Sequence, residues 1–110
     1  MDNKITLQAL AKQELDHFFK EQEDQIVILV FTAEWLGSVQ ILNVFLRELS
    51  DEFPNVVTHY MDAEQHDKLA VKMNVDTLPS TFILEDGKIL DHFTGLLPKK
   101  RIRERLQKVS

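Results

Sequence analysis

Apolar residues recur along this chain in two rhythms, and the alternation between them predicts its elements. Leu7, Leu10, Leu15, Phe18 and Phe19 fall at roughly helical spacing within residues 6–20, so an amphipathic helix with Thr6 as its cap is expected there. A polar bridge over residues 21–25 gives way to Ile26-Val-Ile-Leu-Val-Phe31. Its unbroken, β-branched apolar character suits a central strand covered on both faces. From Ser38 onward Ile41, Leu42, Phe45, Leu46, Leu49 and Phe53 repeat at intervals of three and four, predicting one wide apolar face on a helix ending near Phe53-Pro54.

Residues 56–61 again read as a strand and residues 64–73 as a short helix. Strand and helix in alternation favour a parallel pair joined by right-handed crossovers. Residues 80–84 and 88–93 flank Glu85-Asp86-Gly87, a hairpin signal that makes those two strands antiparallel. A last helix is expected to begin near Pro98 and to bury Ile102, Leu106 and Val109. The expected architecture is α/β: a central mixed sheet, a parallel pair plus an antiparallel hairpin, with helices on both faces. No repeat or linker interrupts the 110 residues, so residues 1–110 are read as one domain.

Composition narrows the picture. Apolar residues at 44% and charged residues at 28%, with three Gly and three Pro, fit an ordered globular chain rather than a disordered one. The longest apolar run is six residues, against the roughly 20 that a membrane-spanning helix requires. The polar N-terminal residues carry no apolar stretch of signal-peptide type, and a cytoplasmic location with no membrane attachment is expected. The net charge of −5 conceals an asymmetry: residues 1–98 hold 7 basic and 17 acidic side chains, and residues 99–110 hold 6 basic and 1 acidic. An acidic body repels phosphate-rich polymers, so no nucleic-acid partner is expected.

The chemistry turns on residues 35–39, Trp-Leu-Gly-Ser-Val, and on the absence of any cysteine. Together with Phe31-Thr-Ala-Glu-Trp35, Thr77-Leu-Pro-Ser-Thr-Phe82, the Asp86-Gly87 turn and Gly95, they occur in an order and spacing that resembles the thioredoxin family over about 105 residues. The resemblance implies a thioredoxin-like fold and a cis-proline segment at Leu78-Pro79. It also places the two redox cysteines at Leu36 and Val39, the buried proton-shuttling acid at Val30, the proline between the cysteines at Ser38 and the helix-kinking proline at Val44. A thiolate is the nucleophile of dithiol exchange, and neither leucine nor valine supplies one. Trp35, Leu36, Gly37, Ser38 and Val39 are therefore read as a vestigial motif with no catalytic residue.

Other chemistry finds little support in the residues. Ser38 as a replacement nucleophile needs a neighbouring base, and His17, His59, His66 and His92 are scattered. Its expected role is an N-cap for the following helix, with Gln40 or later amides as partners. Glu64, His66 and Asp67 match no compact ligand spacing, so neither metal nor cofactor is expected. The basic tail of Lys99, Lys100, Arg101, Arg103, Arg105 and Lys108 is read as a solvated face whose charges the acidic body draws inward.

The resemblance implies that the residue before the conserved proline offers its backbone to an extended substrate peptide. A partner-binding groove is accordingly expected from Trp35, Leu36, Met61, Thr77, Leu78, Pro79, Thr94, Gly95 and Leu96, with a protein or extended peptide as its ligand and the chain a monomer or weak homodimer. Two rival expectations stand beside it: a non-catalytic accessory of thiol-disulfide chemistry, and a chaperone-like or oligomeric adaptor in which the groove is covered.

Overall fold

The computed structural model describes residues 25–109, and the helix expected over residues 6–20 lies outside them. The described elements run β1 Ile26–Thr32, α1 Ser38–Ser50, β2 Val56–Asp62, α2 Asp67–Lys72, β3 Ser80–Glu85, β4 Lys88–Thr94 and α3 Lys99–Val109. The four strands form one mixed sheet in the order β2-β1-β3-β4. β1 pairs with β2 in parallel and with β3 antiparallel, and β3 pairs antiparallel with β4.

The two-sided reading of β1 is what organises the core, because successive strand side chains point to opposite faces. Val27, Leu29 and Phe31 join Leu69, Ala70 and Met73 on the α2 side, with Met61, Phe82 and Leu84. Ile26, Ile28 and Val30 join Leu42, Leu46, Leu49, Ile102 and Leu106 on the side of α1 and α3. Each such large aliphatic side chain removed from water contributes about 1.5–3 kcal/mol, which is why this strand occupies the sheet interior.

The hairpin between β3 and β4 closes through Asp86 and Gly87, both at positive φ (53° and 74°) as a two-residue primed turn requires. A register shift opposite Ile83 and Leu84 leaves Leu90 as an extra residue in β4. α2 ends in a left-handed Asn74 (φ 60°), with the Val75 N–H donating to the Ala70 carbonyl and the Asn74 N–H to that of Val71. This is a Schellman closure, and it turns the chain into the segment leading to Pro79.

Three expectations require correction. Ile41 does not belong to the buried face of α1: it is 49% exposed, whereas Leu42, Leu46 and Leu49 are fully enclosed. A helix advances about 100° per residue, so Ile41 is carried round from that line towards water. Ser38 does not cap α1, since Gly37 occupies the cap position and no side chain bonds the free amides. Ser38 instead lies within the first turn, and the Gln40 N–H reaches the Gly37 carbonyl at 3.1 Å. The helix expected over residues 64–73 begins only at Asp67. The Asp62 carboxylate accepts the amides of Glu64 and Gln65 at 2.8 and 3.2 Å and so holds that stretch in a turn.

The basic tail folds onto the acidic body. Lys99 meets Glu48 at 2.9 Å, Arg103 grips both oxygens of Glu52 at 2.8 and 2.9 Å, and Arg105 meets Asp91 at 3.0 Å. Arg105 also donates to the His92 carbonyl and lies over the Phe93 ring, 5.3 Å from its centroid. Half of the six tail cations are thus internal counter-charges.

Candidate functional site

Strand direction alone brings four connections to one end of the sheet. β1 and β2 run parallel and end together, while β3 starts and β4 finishes at that same end because each runs against its neighbour. The pairings Thr32 with Asp62, Phe31 with Ser80, and Ser80 with Thr94 fix the alignment. Residues 33–37, 63–66, 73–79 and 95–98 therefore surround a single corner.

Within the first connection, the Leu36 N–H closes a turn onto the Ala33 carbonyl at 3.0 Å, and this turn throws Trp35 outward to 70% exposure. Leu36 and Val39 are half-buried, and Val39 packs on the α1 and α3 side of the core. Gly37 is exposed, and a Cβ built there would meet nothing within 4 Å. Across the corner, Thr77 is exposed, Leu78 half-buried and Pro79 buried, and the Leu78–Pro79 peptide bond is cis. The Ser80 hydroxyl donates to the Thr77 carbonyl at 2.7 Å. Gly95, at φ 73°, donates its N–H to the Pro79 carbonyl at 2.9 Å and ties the fourth connection to the third.

The N–H and C=O of Leu78 form no hydrogen bond among the described residues, and the same is true of Glu34, Trp35, Asp76, Leu96 and Leu97 in the neighbouring connections. Of the nine residues expected to line a groove, Trp35, Leu36, Thr77, Leu78, Thr94, Gly95 and Leu96 reach the surface of this corner. Met61 and Pro79 do not, being buried, and Met61 belongs to the α2 side of the core. Ile41 was missed in the opposite sense. It lies seven residues before Glu48, so both point to the same side of α1, the side on which Glu48 meets Lys99. Its exposure places an additional apolar side chain two turns closer to the Trp35 end of the helix.

The Ser38 hydroxyl makes no hydrogen bond among the described residues. Val30 is fully buried and faces Thr81 in β3 and Tyr60 in β2. Among the described residues no three His, Asp or Glu side chains converge as a metal site, and no helix is long and apolar enough to cross a membrane.

Two histidines and one tyrosine respond chiefly to burial. His59 and His92 are both held below the ordinary imidazole range, chiefly because burial disfavours the cation. For His92, whose ring stacks on Phe82 at 4.2 Å, Asp91 and Asp76 oppose that effect. The Tyr60 phenol is pushed up by burial, and its hydroxyl donates to Asn43 Oδ1 at 2.6 Å. An open depression of about 780 Å³ runs along α3 beside Leu97, Pro98, Arg101 and Lys108, and among the described residues no large apolar side chain as exposed as Trp35 lines it.

Comparison with known proteins agrees with this geometry. The family model described as Thioredoxin matches residues 6–108. Thioredoxin Y2, chloroplastic, of Arabidopsis thaliana is 30% identical over 106 residues, which take in 94% of this chain and 64% of that protein. The chain thus spans just under two thirds of that relative's length. Thioredoxin of Geodia cydonium is 27% identical over 97 residues, covering 88% of this chain and 92% of its own. Among solved structures, Fasciola hepatica thioredoxin superposes with a TM-score of 0.74 at 25% identity, covering 87% of this chain and 91% of that one.

Proposed function

The chain belongs to the thioredoxin family, and on that premise we propose that it is a redox-inactive binding module that takes an extended protein segment at the Trp35, Leu36, Leu78, Gly95 corner. The observation that carries this reading is Leu78, whose N–H and C=O form no hydrogen bond among the described residues and lie at the same sheet end as the outward-turned Trp35. An extended chain laid beside residues 77–78 satisfies both groups, as in strand addition, while its side chains bury against the indole, Leu36 and Leu96. Exposed apolar area of this kind is costly to leave in water and is commonly a contact surface.

Dithiol exchange has no reagent in this chain, because both positions that would carry thiolates hold hydrocarbon side chains. The buried position 30 is likewise a valine, in a wall that carries no carboxylate. Loss of the acid along with the thiols supports a fold kept for binding after its chemistry was lost.

The test is a crosslinked capture from native extract using the wild type, Trp35→Ala and Leu78→Asp. Leu78 also packs partly on the α2 side of the core, so Trp35→Ala is the sharper probe and Leu78→Asp must be checked for folding. Partners retained by the wild type and lost by folded Trp35→Ala support the reading. Equal capture by both proteins refutes it, and any turnover in an insulin-reduction assay refutes the redox-inactive part.

A further inference from the structure

We infer that the extended segment bound at the Trp35 corner carries an apolar anchor flanked by Lys or Arg, an inference that rests on the binding function proposed above. The site itself stands on the exposed indole and on the Leu78 backbone, which is unpaired among the described residues, and its surrounding charge selects the occupant. Taken with the strand ends that border them, the four connections hold the carboxylates Glu34, Asp62, Glu64 and Asp76 and not a single Lys or Arg.

The protein's internal compensation passes these groups by. The α3 cations reach Glu48, Glu52 and Asp91, none of which belongs to the corner. Glu34, Glu64 and Asp76 form no ion pair among the described residues, although Thr77 Oγ1 donates to Asp76 at 3.2 Å. Asp62 spends its carboxylate on the two turn amides of Glu64 and Gln65. Glu34 adjoins Trp35 and Asp76 adjoins Thr77, so a strand laid along residues 77–78 meets negative potential from both connections. An acidic segment would be repelled there, and a basic one gains charge complementarity that raises its association rate and sets its preference.

Trp35 is the chain's one tryptophan, so its emission reports binding at this corner. The experiment titrates the intact protein with three synthetic peptides that share one apolar core and differ only in flanks of Lys/Arg, Ser or Asp/Glu, with calorimetry in parallel. The Lys/Arg peptide is expected to bind roughly tenfold tighter than the Asp/Glu peptide at low salt, as two or more exposed ion pairs of ordinary strength predict. That gap should narrow at about 0.5 M salt, where screening reaches only a few ångströms. It should also shrink in Glu34→Gln/Asp76→Asn, whose positions are exposed and whose folding a thermal melt verifies. Equal affinity for all three peptides overturns the charge preference and leaves the binding corner intact. No binding by any of them, in fluorescence or in heat, overturns the corner and the preference together.

Discussion

Thr81 lies directly across the β1–β3 ladder from Val30, both side chains are fully buried, and the Thr81 hydroxyl has no hydrogen-bond partner among the described residues. Its neighbours on that face include Phe93, its partner in β4, so the oxygen is desolvated without compensation. An unsatisfied buried hydroxyl costs about 1–3 kcal/mol, and an apolar side chain of the same shape removes that cost. Thr81→Val should therefore raise stability by about 1 kcal/mol in denaturant titration; a loss would reveal a hydrogen bond that the hydroxyl makes in solution.

The Glu52 carboxylate is held below its ordinary value first by its hydrogen bonds to Arg103 and then by the charges of Arg103 and Lys99. A carboxylate depressed in the folded state stabilises that state above the unfolded value of about 4.3, and the contribution is lost as pH falls through the lower folded value. The stability advantage of the wild type over Arg103→Gln should be constant from neutral pH down to about 5 and vanish progressively below that. Thermal melts across this range check it, and the gap should also narrow with salt because the pair is exposed.

Two glycines at the corner should respond oppositely to the same substitution. Neither would bring a Cβ within 4 Å of another group, so only backbone conformation distinguishes them. Gly95 sits at φ 73°, where an L side chain costs about 1–2 kcal/mol. Gly37 sits at φ −68° and ψ −30°, ordinary for alanine, which restricts the unfolded chain and stabilises by about 0.4–1 kcal/mol. Gly95→Ala should melt lower than the wild type and Gly37→Ala slightly higher. Loss of partner binding in Gly95→Ala at a temperature where it is fully folded would add support for the corner.

Adjacent residues on α1 should differ as sharply. Leu42→Ala removes a fully enclosed side chain from the core and should cost about 2–5 kcal/mol. Ile41→Ser changes a residue that belongs to neither core cluster and should stay within about 0.5 kcal/mol. Chemical denaturation of the pair checks both values, and a large loss in Ile41→Ser would mean that α1 is rotated from the orientation described.

The imidazoles of His59 and His92 should titrate below about 6.5 in a proton NMR pH series. Because their folded values are depressed, the unfolded chain binds protons first, and each histidine costs stability as pH falls below the ordinary value. In His92→Gln the loss of stability between pH 7 and 5 should be shallower than in the wild type.

Much of this protein was legible along its chain because the determining forces are local. The unbroken run of residues 26–31 announces a strand buried on both faces, and Asp86-Gly87 supplies the positive φ that a two-residue hairpin needs. Lack of any cysteine removes thiol chemistry before a single coordinate is known. Trp35, Thr77 to Pro79 and Gly95 were recognisable from motif spacing. The burial of Met61 and the exposure of Ile41 were not, because both depend on which way a strand or helix faces once it has docked.

Only the tertiary structure decided how these pieces meet. The rotation of α1 about its axis set which apolar residues reach the core, and the Asp62 side chain delayed the start of α2 by capturing two amides. Ladder register between strands distant in sequence gathered four separate connections, with Leu78 and four carboxylates among them, at one end of the sheet. Hydrophobic rhythm is a short-range property that specifies elements. Register and docking are long-range balances of packing and hydrogen bonding, and they determine the site.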